Sequence, residues 1–311
     1  MFFSKTSHVL QLHALRGGLL ASSHALPSLA TRWAMRLFAT PTGPRRIRYD
    51  FSRYPGFQEI TLSYHHTGAH EPVRGGVHGR LRGYTWGRVD ERPVVVLLHG
   101  WSGWGLQLGA FVEPLLEAGF AVAAFDLPAH GRSSGRQATL PLCTAALAAI
   151  VDYFPQVHAA IGHSFGGAVL AYGLTHGVAL PHVVMISAPA GMESPLQHFA
   201  RTLRLPPRLV HAVQRGWERK LKLDFGSLRA EAMELPTPTR ALLVHDRDDD
   251  VIVLDEMRRY QARWPTAAAR VTEGLGHREI LRDRAVIADV VRFLCGAAPH
   301  QTEHGPTTRS P

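Results

Sequence analysis

From Val94 onward, short unbroken apolar runs alternate with longer segments of helical period. The runs are Val94 to Leu98, Ala121 to Phe125, Val157 to Ile161, Val183 to Ile186, Ala241 to Val244 and Ala268 to Val271. A strand that is apolar at every position is covered on both faces, as in a parallel sheet between two helix layers. Helices are expected between them at Leu106 to Ala118, Leu140 to Phe154, Ala168 to Leu174, Asp255 to Trp264 and Arg284 to Leu294. Repeated strand–helix units of this length predict an α/β fold with a doubly wound, mostly parallel sheet. Upstream, Gly56 to Tyr64 alternates apolar and polar positions, and a second such stretch lies near Leu81 to Trp86; together they predict an antiparallel entry to the sheet.

Between Pro189 and Pro236 the strand rhythm stops. Helix signals cover Ser194 to Leu203, the stretch from Pro206-Pro207 to Leu221, and Ser227 to Leu235. An insertion at a strand's carboxyl end lies over the side where such sheets bind ligands. Residues 190–236 are therefore expected to form a small helical cap after the sixth strand. Its Leu, Val and Phe side chains and Trp217 either line an apolar pocket or pack the cap to the body.

The chain has 311 residues, enough for one α/β domain with a full core, and its 45% hydrophobic content is ordinary for a globular protein. No run approaches the roughly 18 apolar residues of a membrane span. The net charge of +9 raises the question of nucleic acid, but its distribution answers against it. Lys5, Arg16, Arg32, Arg36, Arg45, Arg46 and Arg48 lie in residues 1–49 with no acid among them. Without those, 27 basic residues face 25 acidic ones, so the body is close to neutral and a basic groove for phosphate backbones is not expected.

Residues 1–49 read as a segment outside the fold: rich in Arg and Ser, free of acids, and without a sustained helical period. A translated leader before Met35, a mitochondrial transit peptide and a secretory signal all fit this composition. A leader implies a cytoplasmic protein and a transit peptide a mitochondrial one. On this reading, removing residues 1–34 leaves stability and activity unchanged. Residues 296–311 read as a disordered tail. Cys143 and Cys295 lie in apolar segments without metal spacing and are expected to be reduced, buried thiols. His65, His66, His70 and His78 have no carboxylate or Cys at ligand spacing, and solvated loop histidines are expected rather than a metal site. No cofactor is expected.

The chemistry concentrates at Gly162-His163-Ser164-Phe165-Gly166-Gly167, which follows an apolar run and opens a helical one. Ser with Gly two positions before and two after, at a strand-to-helix turn, is a nucleophile elbow. The glycines let the turn close against its neighbours while the Ser164 hydroxyl stands clear. A nucleophilic serine requires a base, an orienting acid and an oxyanion hole. Leu98-His99-Gly100-Trp101 ends an earlier strand and places the backbone N–H of Trp101, with that of Phe165, as oxyanion donors. Gly274-Leu275-Gly276-His277 follows the last strand and offers His277 as the base. His163 is expected to point down into the sheet. The stretch His245-Asp246-Arg247-Asp248-Asp249-Asp250-Val251 offers four carboxylates after a strand.

These motifs, with Asp126-Leu127-Pro128-Ala129-His130-Gly131-Arg132-Ser133, resemble the α/β-hydrolase superfamily over residues 55–295. The departures are Ala129, where glycine is usual, and Val253, where proline is common. The resemblance implies the order Ser, acid, His and a structural role for Asp126 at its strand end. The family pattern His-Gly-x-x-Asp-x-x-Val-Pro, counted from His245, makes Asp249 the acid; replacements at Asp246, Asp248 or Asp250 are then expected to cost far less. The implied activity is a metal-independent serine hydrolase acting through an acyl-enzyme on an ester or thioester with an apolar acyl group. A C–C bond hydrolase, an acyltransferase and a non-catalytic small-molecule binder use the same fold. Substrate and oligomeric state stay open.

Overall fold

The structure, a computed structural model, describes residues 5–42, 56–66 and 77–296. Two helices come first, α1 (Lys5–Ala25) and α2 (Pro27–Phe38). An antiparallel pair follows, β1 (Gln58–His66) and β2 (Val77–Trp86), then β3 (Val94–Leu98), α3 (Val112–Glu117) and β4 (Ala121–Phe125). After α4 (Leu140–Tyr153) come β5 (Val157–His163), α5 (Phe165–Thr175) and β6 (His182–Ile186). The cap helices are α6 (Glu193–Leu203) and α7 (Pro207–Leu221). The chain closes with β7 (Arg240–Asp246), α8 (Leu254–Arg263), β8 (Ala268–Thr272), the short α9 (Gly276–Glu279) and α10 (Arg284–Leu294).

The eight strands form one sheet in the order β1-β2-β4-β3-β5-β6-β7-β8. β1, β2 and β4 pair antiparallel, and every pair from β4 to β8 is parallel. All five residues of β3 and of β4 are buried, as the continuous apolar runs require. Side chains alternate between faces: Val94, Val96 and Leu98 join the core under α4 and α5, while Val95 and Leu97 join the one with Phe111 and Phe293. Thr139 caps α4 by accepting from the Leu142 N–H, and Asp283 caps α10 by accepting from that of Val286.

The insertion after the sixth strand is helical, with one change. The stretch expected as a third cap helix, Ser227 to Leu235, is two 3₁₀ turns, Phe225–Leu228 and Ala230–Ala232. Asp224 accepts from the Gly226 N–H and so tightens the first turn instead of opening an α-helix. The base of the cap is tied to α8 by Trp264 Nε1–H on Met233 O, by Tyr260 OH on Pro189 O, and by the paired Arg259 and Glu231.

The expectation that residues 1–49 lie outside the fold does not describe residues 5–38. α2 packs on cap helix α7: Ala30 and Ala34 are fully buried, and a Cβ on Gly216 would meet Met35 Sδ at 2.4 Å. Arg16 of α1 donates from Nε and Nη2 to Thr202 O at the end of α6, and the Phe38 and Phe199 rings lie 5.3 Å apart. Small residues one turn apart let the helices approach closely, a pattern that a search for large apolar residues passes over. Residues 1–4 and 43–49, and the expected tail from 297 on, lie outside the described residues.

Two smaller expectations change. Cys295 is exposed, at the end of α10, whereas Cys143 is buried, which pushes its thiol up. His65, His66 and His78 belong to β1 and β2 rather than to a loop; His65 and His78 are cross-strand partners with rings stacked 3.9 Å apart. His70 lies outside the described residues. No described helix is long and apolar enough to cross a membrane.

Candidate active site

Ser164 occupies the turn between β5 and α5 at φ 50°, ψ −116°, a backbone geometry that L-residues rarely adopt. Its neighbours show why the turn tolerates only glycine. A Cβ on Gly162 would lie 2.6 Å from the carbonyl carbon of Gly166 and from the nitrogen of Gly167. One on Gly166 would lie 2.4 Å from Leu98 O, and one on Gly167 2.6 Å from the Ala188 Cβ. The Ser164 N–H donates to Ile186 O at 2.8 Å, which fastens the elbow to β6. These contacts hold a strained residue in place.

The β3–β5 register pairs Leu98 with Gly162, so the segment leaving β3 runs beside the elbow. Gly100 is needed there, because a Cβ would lie 2.9 Å from His163 Nδ1 and 3.1 Å from the Ser164 Cβ. His99 anchors this segment. Its Nε2 accepts from the Leu127 N–H at 2.9 Å, so Nδ1 carries the proton and donates to Gly100 O at 2.7 Å. Burial lowers its pKa from 6.5 to about 4, and the ring stays neutral. The Gly100 N–H is held by Gln107 Oε1 at 2.7 Å. Trp101 stands 37% exposed at the rim, with its ring edge-on to Phe165 at 5.2 Å. The Trp101 N–H makes no hydrogen bond among the described residues, and Phe165, as first residue of α5, has no intrahelical acceptor.

On the opposite side, β7 and β8 deliver the acid and the imidazole. His277 Nδ1 lies 2.7 Å from Asp249 Oδ2, with both side chains largely buried. Asp249 Oδ1 accepts from the N–H groups of Val251 and Ile252, at 2.9 and 2.8 Å. Burial opposes its charge, but the His277 hydrogen bond and charge and the Ile252 N–H outweigh it and hold the carboxyl below its ordinary value. His245 lies beside it, its Nε2 3.7 Å from Asp249 Oδ2; that Nε2–H donates to Ile252 O at 2.8 Å, and burial lowers its pKa.

Asp246 has a structural part of its own. It is fully buried, and each oxygen takes two donors: Oδ1 from the N–H of Asp248 and Gly276, Oδ2 from Thr272 Oγ1 and the N–H of Leu275. It thereby staples the loop that carries His277. Burial works against its charge, and these donors overcome it, so its pKa is lowered. Asp248 and Asp250 are exposed.

His163 departs from the sequence expectation. Its ring does not turn away into the sheet; it lies 4.7 Å from the His277 ring, and Nε2–H donates to His277 O at 2.9 Å. Burial, then the neighbouring His277, lowers its pKa to about 3. This neutral imidazole therefore ties the backbone of His277 to the residue preceding Ser164. No hydrogen bond joins the Ser164 hydroxyl to the His277 ring among the described residues. Such bonds commonly tighten only once substrate is bound.

Asp126 holds the next loop, as expected for a strand-end residue. Oδ1 accepts from the Gly105 N–H at 2.7 Å and Oδ2 from the Arg132 N–H at 2.8 Å. Ala129, in place of the usual glycine, adopts φ 65°.

Residues 95–290 match the sequence profile of the alpha/beta hydrolase family. A serine hydrolase-like protein of Danio rerio is 37% identical over 98 residues, which cover 29% of this chain and 29% of that protein. A pimeloyl-(acyl-carrier protein) methyl ester esterase of Aromatoleum aromaticum is 40% identical over 79 residues, covering 25% of this chain and 30% of that protein. The chain thus matches less than a third of the length of these relatives. Among solved structures, an esterase of Pyrococcus furiosus is similar with a TM-score of 0.59 and 19% identity, over 83% of this chain and 98% of that one. The thioesterase domain from the curacin biosynthetic pathway is similar with a TM-score of 0.51 and 17% identity, over 77% of this chain and 99% of that one.

Proposed function

The chain belongs to the alpha/beta hydrolase family, and from that premise we propose that it hydrolyses an ester or thioester through Ser164, His277 and Asp249. The observation that carries the reading is the 2.7 Å contact between His277 Nδ1 and Asp249 Oδ2, made beside a serine held in strained geometry. A carboxylate on Nδ1 fixes the tautomer that leaves Nε2 unprotonated. In the proposed mechanism Nε2 takes the Ser164 proton as the hydroxyl oxygen attacks the carbonyl carbon. The Trp101 and Phe165 N–H groups receive the oxyanion. The imidazolium gives its proton to the leaving alcohol or thiol, and water activated by the same Nε2 then releases the acid. Asp249 stabilises the imidazolium in both halves. The half-exposed rim of Trp101, packed on Phe165, favours a small molecule with an apolar acyl group.

The test is hydrolysis of p-nitrophenyl esters of increasing chain length by the wild type and by Ser164→Ala. The wild type is expected to turn over, with a preference for some acyl lengths, and the variant to be inactive. Equal turnover by both proteins would remove Ser164 from the chemistry.

A further inference from the structure

A cleft of about 600 Å³ lies between α2, cap helix α7 and the segment leading into α4, and Ser164 does not line it. Arg32, Arg36, Arg136 and Lys220 line it together with Gln137 and Trp217, and no carboxylate among the described residues does. Arg32 and Arg36 stand one helical turn apart on α2. Lys220 lies over the Trp217 ring at 4.6 Å and reaches Gln137 Oε1 at 3.5 Å.

Several arginines elsewhere on the surface are paired with acids, as in Arg132–Glu59, Arg229–Glu193, Arg259–Glu231 and Arg263–Glu234, whereas the cleft gathers four cations in one place. Among the described residues, the side chains of Arg32, Arg36 and Arg136 have neither an ion pair nor a hydrogen bond. Like charges gathered in one cleft repel, and a ligand with several acceptor oxygens and more than one negative charge relieves that repulsion.

We infer that this cleft is a binding site for a phosphate-bearing small molecule, gripped by Arg32, Arg36, Arg136 and Lys220. Guanidinium groups match phosphate oxygens with paired N–H donors. The volume falls in the range of small-molecule sites and exceeds what inorganic phosphate fills, which assigns an organic phosphate. The inference stands apart from the hydrolytic reading, because no residue of the cleft takes part in it. Both walls are tied down: the Ala138 N–H donates to Ala39 O, and the Thr42 N–H to Ser102 Oγ, beside Trp101.

The experiment is calorimetric titration of the full chain with inorganic pyrophosphate, at low and at raised salt. Saturable binding is expected, weakening as salt rises. Losing two charge-assisted contacts, Arg32→Gln with Arg36→Gln is expected to weaken it about tenfold or more. A control with Arg258→Gln and Arg282→Gln removes two exposed charges elsewhere and is expected to bind as the wild type does. Absence of saturable binding, or an equal loss in the control, overturns the inference. So does binding to phosphatidylglycerol vesicles without binding of pyrophosphate, which would make the basic face a membrane contact.

Discussion

Asp246 and Asp249 stand three residues apart on one loop, and their surroundings divide the work between them. Asp249 gives one oxygen to His277, whereas Asp246 spends both oxygens on backbone and Thr272 donors. Asp249→Asn is therefore predicted to retain the fold and lose about 10⁴-fold in kcat, because an amide no longer holds the productive tautomer. Asp246→Asn is predicted to lower the melting temperature, since an amide nitrogen cannot accept the two donors at its side; thermal unfolding of both variants beside the wild type checks this. Equal melting temperatures for Asp246→Asn and the wild type would show that the staple is dispensable. Of the candidate site, the serine, the histidine and the segment after β3 are legible because glycine spacing and strand-end position mark them. The role of Asp246 is not, because its donors are backbone groups of a distant loop and leave no trace in residue types. His163 was hidden for the same reason: its partner is the carbonyl of a residue 114 positions away.

At the scale of elements, the elbow depends on interlocking backbones. Gly166→Ala would press a methyl group against the Leu98 and His99 carbonyls, at 2.4 and 2.8 Å. Neither atom is the end of a flexible chain, so a loss of about 1–3 kcal/mol in unfolding free energy is predicted, measured from urea midpoints. The parallel strands were readable because burial on both faces leaves a run with no polar position. The α1–α2 pair was not: α1 sends Leu12, Leu15 and Leu19 to the core, but Arg16, Gly17 and Gly18 interrupt its apolar face, and α2 packs as much through Ala30 and Ala34 as through Met35 and Phe38. Contrary to the sequence expectation, deletion of residues 1–34 is predicted to lower the melting temperature, because it removes α1 and most of α2, which packs on α7. An unchanged melting temperature would show that this packing adds nothing to stability.

For the whole molecule, several buried groups respond to acid in one direction. His99, His163 and His245 have folded pKa values below their ordinary 6.5, and Asp246 and Asp249 below 3.8. In each case the unfolded chain takes up the proton first, so stability falls as pH falls. The histidines act as pH drops below 6.5 towards the folded values of about 4 and about 3, and the carboxylates act below 3.8. The depression at His99 alone amounts to about 3 kcal/mol across its window. Glu256, raised by burial, opposes this trend. The urea midpoint is predicted to fall clearly between pH 7 and pH 5, and a flat profile there would contradict the neutral, buried imidazoles. In the proposed mechanism Ser164 is the nucleophile, activated through His277 and Asp249. The most direct test of that mechanism is reaction of the purified chain with a fluorophosphonate, read by mass spectrometry of the peptide that contains residue 164. One adduct is expected, on Ser164, formed far more slowly in Asp249→Asn and absent in Ser164→Ala. An unlabelled Ser164 in the folded protein, or an adduct that persists in Ser164→Ala, would contradict the mechanism.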